Sequence, residues 1–238
     1  MCKKIWAITK INFKTINAAY WVAGITFFAL FVQEIVFFAI WRGQGNNGSD
    51  ISLFNTAWLL VPVSAIIIPT SNFRRIINLG GRRNDFLWGS VWTYAVLAGL
   101  VSLVVALTQF TIEPIMERHL SGGPEFFGGI VNLTEVFGWV ERGFAMAFLQ
   151  QFAFLFFGAA FVHTLTALHH KWYGLAADVL IVAVISVFTP ITPLRAALAW
   201  FFNLVLFHQY AFVQIGACLV LAMGLFMINK MILARQAV

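Results

Sequence analysis

The sequence predicts an all-α, polytopic membrane protein with six transmembrane helices, an N-terminal interfacial helix and a re-entrant apolar segment before the last helix. Three observations carry this reading. First, 61% of the 238 residues are hydrophobic and only 10% are charged, with 26 Phe and 9 Trp. A soluble domain of this length cannot hide so much apolar surface. Second, the apolar residues fall into runs near the roughly 20 residues that cross a bilayer core. Third, Lys and Arg collect in alternate connecting segments, as topology requires. Together these describe one transmembrane domain over residues 1–238.

Residues 3–17 come first. Wound as a helix, they place Lys3, Lys10 and Lys14 on one side and Ile5, Ile8, Phe13 and Ile16 on the other. That pattern suits a helix lying in the membrane interface with its lysines near anionic headgroups. Six apolar runs follow, near 18–41, 54–71, 86–110, 143–168, 175–190 and 208–229. The first is too long for a signal-peptide core and lacks an Ala-x-Ala exit. Pro62 and Pro69 interrupt or end the second, and Thr189-Pro190-Ile191-Thr192-Pro193 breaks the fifth. Segment 194–207 is apolar but too short to cross and return. It reads as a half-helix dipping into the outer leaflet, where protein must bury its loose backbone. The longest polar stretch, 111–142, is an outer loop punctuated by Ser121-Gly122-Gly123-Pro124 and Gly128-Gly129.

Charge sets the orientation. With both termini inside a bacterial plasma membrane, eleven basic residues are cytosolic: Lys3, Lys4, Lys10, Lys14, Arg74, Arg75, Arg82, Arg83, Lys171, Lys230 and Arg235. Four are outside: Arg42, Arg118, Arg142 and Arg195. The net charge of +6 therefore reports topology rather than nucleic-acid binding.

The basic connector 72–86 between the second and third spans is the main functional candidate. Phe73, Arg74, Arg75, Ile76, Ile77, Asn78 and Leu79 make two helical turns, and Gly80-Gly81 stops them in a left-handed cap. Arg82 and Arg83 follow, and Asn84 or Asp85 is placed to cap the third span. A short helix parallel to the membrane, with apolar side chains flanked by arginines, suits contact with a cytosolic protein. The plainer alternative is that the arginines only enforce topology and bind phospholipid headgroups.

Other residues carry weaker signals. Glu34, with Gln33 beside it, lies at membrane depth in the first span and is a pathway candidate. His163 lies inside the fourth span, whereas His169 and His170 sit at its boundary and His208 opens the sixth run. A structural or interfacial role accounts for them; the alternative is a membrane-embedded redox subunit holding haem or a metal on His163, His170 and His208. Cys2 and Cys218 make no disulfide framework or metal spacing. No catalytic constellation assembles, so the chain is not expected to be an enzyme.

The run Asn78-Leu79-Gly80-Gly81-Arg82-Arg83-Asn84-Asp85-Phe86 resembles the loop of bacterial ABC exporter permeases: Leu-Gly, two variable or basic positions, then a polar residue and an aromatic. The N-terminal Lys-Lys-Ile-Trp-Ala-Ile-Thr-Lys-Ile-Asn-Phe-Lys resembles their interfacial elbow helix, and the six-span layout and Pro-broken segment match over the whole chain. The resemblance implies a permease that pairs with a second copy or a related permease and with two cytosolic ATP-binding subunits. It implies export of peptides, lipids or drugs, and a coupling helix over 73–79 seated in a cleft of the ATPase. The chain has no Gly-x-x-x-x-Gly-Lys-Ser/Thr loop, so ATP and Mg are expected on the partner and no cofactor on this chain. A non-transporting immunity or accessory protein is the remaining alternative.

Overall fold

In the computed structural model the described residues are 2–40, 50–51, 56–112, 114, 130–131, 133–169, 172–186 and 191–234. Their helices are α1 Cys2–Ile40, α2 Leu60–Asn78, α3 Arg83–Leu107, α4 Phe144–Leu168, α5 Trp172–Ser186, α6 Thr192–Phe202 and α7 Ala211–Ala234, besides a single turn at Leu133–Val136. Wider π turns prolong α3 over Thr108–Ile112 and α6 over Asn203–Phe207. A two-residue parallel ladder pairs β1, Asp50–Ile51, with β2, Ile130–Val131.

Among the described residues three helices are long and apolar enough to cross a bilayer: Arg83–Thr111, Phe144–Leu168 and Ala211–Ala234. This is a helical membrane protein. α4 is its centre, packed against α7, α2 and α3, while α1 lies against α3 and α2. Alanines explain the central place of α4. Ala147, Ala153, Ala159, Ala160 and Ala167 are all buried, and small side chains let neighbouring backbones approach where lipid supplies no hydrophobic drive. α2 runs toward the α2–α3 turn, and α4 and α7 run the same way. The start of α3 meets the end of α7, where Arg83 Nη1 donates to the Ala234 carbonyl at 2.5 Å.

The predicted interfacial helix over 3–17 is not a separate element. It is the first part of α1, one helix of 39 residues. Its apolar stripe faces protein: Ile8 and Ile16 are buried, together with Thr9 and Asn12. Gly89 of α3 admits the contact, because a Cβ there would lie 2.5 Å from Ile8 Cγ2. Lys3, Lys10 and Lys14 stay exposed on the far side, and Lys4, one turn before Ile8, is exposed as well. Pro62 and Pro69 also fail to end the second helix, since α2 continues through both to Asn78.

At the opposite end from the α2–α3 turn, an aromatic cluster closes the bundle. Trp58 stacks on Trp139 and Phe137, and Phe207 meets Phe137 edge-on. The expected apolar helix within 194–207 is present as α6 with its π turn. The π turn interrupts the regular ladder, and side chains take up the carbonyls at its end. Gln214 Nε2 donates to Val205 O at 2.8 Å, Trp139 Nε1 to Leu206 O at 3.0 Å, and Arg142 Nη2 to His208 O at 2.9 Å.

Candidate docking surface at the α2–α3 turn

Two glycines make the turn, for different reasons. Gly80 has φ +80°, a conformation that costs an L side chain roughly 1–2 kcal/mol. Its N–H reaches Ile77 O at 2.9 Å, and the Gly81 N–H reaches Ile76 O at 2.9 Å, the paired bonds that close a helix through a left-handed residue. Gly81 is needed for space: a Cβ there would sit 2.6 Å from Ile76 Cγ2 and 2.8 Å from the Ile76 carbonyl oxygen. The sequence prediction of a glycine stop agrees with this geometry.

The predicted cap of the next helix is displaced. Arg82, extended at φ −82° and ψ 143°, is the residue before α3. Asn84 and Asp85 lie inside the first turn, and the Phe86 N–H bonds Arg82 O at 3.0 Å. Asp85 still suits the positive end of the helix dipole.

The separate coupling helix expected over 73–79 is also corrected. These residues are the last turns of α2 and its cap. Phe73 is 3% exposed and Ile76 4%, so neither is offered to a partner. Helical periodicity explains the split: Asn72, Phe73 and Ile76 fall on the stripe facing the bundle, while Arg74, Arg75 and Asn78 fall outside. Phe73 meets Phe86 edge-on with ring centroids 5.3 Å apart. Ile77 and Arg83 are half-buried. The exposed set is therefore Arg74, Arg75, Asn78, Leu79, Gly80 and Arg82, with Leu79, 74% exposed, as its one large apolar side chain.

The stem beneath this tip is tied to three helices. Asn72 Nδ2 donates to Asn12 Oδ1 at 2.9 Å, and Asn12 Nδ2 donates to Thr93 Oγ1 at 3.2 Å. Thr15 Oγ1 adds a 2.9 Å bond to Asn72 Oδ1. α1 thus clamps the two helices that flank the turn. Sequence reading missed the clamp, although one signal existed: Asn12 lies on the same i, i+4 stripe as Ile8 and Ile16. A polar residue in an otherwise apolar stripe points to a buried partner.

An aromatic chain continues inward. Phe86 lies beside His163, at 6.3 Å between ring centroids, and His163 Nδ1 is 2.6 Å from the Tyr94 hydroxyl. Phe226 of α7 stacks on Tyr94 at 6.3 Å. His163 is fully buried and joins α4 to α3. His208 lies at the other end of α4, where its carbonyl receives Arg142. From Arg142 to His163 the helix rises roughly 30 Å, so those two histidines do not meet in one ligand set. His170 lies outside the described residues. Among the described residues no group of three His, Cys, Asp or Glu side chains is placed to share a metal ion. Gln33 and Glu34 belong to α1, but their side chains lie outside what is described, as does most of the 111–142 loop.

No family profile, no curated protein and no solved structure matches this chain.

Proposed function

We propose that this chain is the membrane-spanning permease subunit of an ATP-driven exporter of the ABC class, gripped at the α2–α3 turn by a separate ATP-binding subunit. α1, α2 and α5 complete six spans with α3, α4 and α7. Two copies, or one copy and a related permease, enclose a pathway for an amphipathic peptide, lipid or drug, and Gln33 and Glu34 of α1 are its candidate polar lining. Closure of the ATPase dimer moves the turn, and the turn carries α2 and α3 as a rigid body in alternating access.

The observation that supports this reading best is the contrast at the turn. Leu79 stands in solvent with Arg74, Arg75, Asn78, Gly80 and Arg82, while Phe73, Ile76 and Asn72 lock the stem into the bundle. A contact that transmits force needs both an accessible tip and a stiff stem. The test is co-purification of the ATPase with the full chain from native membranes. Leu79→Asp with Arg82→Glu is expected to strip the ATPase while leaving expression and thermal unfolding of the permease unchanged. Undiminished co-purification in that variant would overturn the reading.

A further inference from the structure

Ser90 of α3 stands between Phe86 and Tyr94, one turn from each, on the stripe that meets His163 of α4. The His163 ring centroid lies 6.3 Å from that of Phe86 and 5.4 Å from that of Tyr94, so the imidazole lies across from Ser90. His163 and Ser90 are both fully buried. Yet His163 Nε2 and Ser90 Oγ have no hydrogen-bond partner among the described residues. We propose that one ordered water bridges His163 Nε2 and Ser90 Oγ inside the packing of α3, α4 and α7. The proposal is independent of any transport role.

Counting hydrogens shows that the Tyr94–His163 pair cannot satisfy itself. His163 Nδ1 and the Tyr94 hydroxyl are 2.6 Å apart. If the hydroxyl donates to Nδ1, a neutral imidazole carries its hydrogen on Nε2, where no protein acceptor meets it. If Nδ1 donates instead, the phenol hydrogen and the Nε2 lone pair are both stranded. The first arrangement strands fewer groups, and a buried donor left dry is costly. A water accepts from Nε2–H and keeps further bonds for the Ser90 hydroxyl.

The surroundings suit this occupant. Ser90 is far shorter than the two aromatic side chains that flank it, so it makes a notch in the α3 stripe opposite His163. The two polar atoms do not bond each other, and a polar gap beyond about 3.5 Å is where a bridging water sits. α7 brings a third such side chain to the same packing. Asn229, one turn past Phe226, is fully buried with neither amide atom bonded, and the Phe226 ring lies 6.3 Å from His163. Its carboxamide offers a donor and an acceptor, within the roughly two to four partners that buried waters take. Depth also suits water. The bonds of Asn72 to Asn12 and Thr15, and of Asn12 to Thr93, set Thr93 near the level of Lys14 and Arg74, cations that do not belong in hydrocarbon. Ser90 lies roughly 4.5 Å further toward the α2–α3 turn. A metal ion fits less well, since Ser, Asn and a neutral imidazole bring no negative charge.

The test is X-ray hydroxyl-radical footprinting of the full chain in lipid nanodiscs, in which radicals formed from a bound water oxidise the side chains beside it. Tyr94 and His163, both fully buried, should each gain an oxygen in the wild type. Ser90→Val fills the notch without a hydroxyl and should abolish that labelling, while labelling of Tyr210, 70% exposed, stays the same. Thermal unfolding checks that the variant is folded. Absence of labelling at Tyr94 and His163 in the wild type, or equal labelling of both in folded Ser90→Val, would overturn the proposal. A second measurement needs no variant. Crystals of the wild type grown from a lipidic mesophase should show one water within hydrogen-bond reach of both His163 Nε2 and Ser90 Oγ. A direct bond between those two atoms, an empty gap, or an anomalous scatterer in place of the water would equally overturn it.

Discussion

Asn12 accepts a hydrogen bond from Asn72 of α2 and donates one to Thr93 of α3, so a single carboxamide holds both arms of the α2–α3 turn. Thr93 has a second partner in Gly89 O at 2.7 Å, and Asn72 keeps its bond from Thr15. Asn12→Ala therefore strands chiefly the Asn72 amide. A buried unsatisfied donor costs about 1–3 kcal/mol, while hydrogen bonds between membrane helices couple by roughly 0.6 and at most about 1.7 kcal/mol. In a double-mutant cycle, Asn12→Ala and Asn72→Ala should each destabilise the protein. The pair should cost less than their sum, by about 1 kcal/mol in detergent unfolding. Strict additivity would mean that the two side chains do not act as one unit. The same scale holds the features least legible from sequence. Asn12 shows in the sequence only as a polar break in the Ile8–Ile16 stripe, and its partner Asn72, like the Tyr94–His163 bond, has no local signature, because each partner sits in a different run and only the packing joins them.

At the scale of elements, α6 is a loosely held helix. None of the residues in Thr192–Phe202 is buried, and the segment is secured at its π turn, where Val205 is buried. The bonds from Gln214 and Trp139 to Val205 O and Leu206 O are thus the fasteners of the whole element. With Gln214→Leu, only the weak Cys218 Sγ contact at 3.8 Å remains on Val205 O. A nitroxide placed on Cys at the exposed Trp200 position should become measurably more mobile in the Gln214→Leu, Trp139→Phe background, while one on α4 should not change. Unchanged mobility at position 200 would show that something else anchors α6.

Element positions themselves were largely legible. Apolar runs near 86–110, 143–168 and 208–229 correspond to α3, α4 and α7 within a few residues, since long apolar stretches have few alternatives in lipid. The errors fell where composition is ambiguous. A stripe of Ile with flanking Lys at 3–17 suits either lipid or a neighbouring helix, and Gly89, distant in sequence, decides for the helix. Likewise, Phe73 and Ile76 belong to a basic connector by sequence, but helical phase turns them inward against Phe86.

For the whole molecule, the decisive asymmetry is between the two ends. Lys3, Lys10, Lys14, Arg74, Arg75, Arg82 and Lys230 are exposed at or near the α2–α3 end, while Glu135 and Glu141 lie with the aromatic cluster at the other. The 29 residues of Arg83–Thr111 rise roughly 43 Å, against a hydrocarbon core of about 30 Å. The helices therefore outreach the core, and charge determines where the excess lies. Thr15 bonds Asn72, so Lys14 and Arg74 stand at similar depth, and neither belongs in hydrocarbon. From Asn72 to Leu79 the chain advances about 10 Å further, which places Leu79 beyond the headgroup boundary in water. Lys and Arg favour the cytosolic side, so this tip should face the cell interior. In a background where Cys2 and Cys218 are replaced by Ser, Leu79→Cys should react with a membrane-impermeant maleimide in inverted vesicles stripped of peripheral proteins and not in intact cells. Labelling in intact cells would put the turn on the outer side, out of reach of any cytosolic ATPase. Absence of labelling in both preparations would mean that the tip is covered, which the solvent-facing Leu79 described above does not allow.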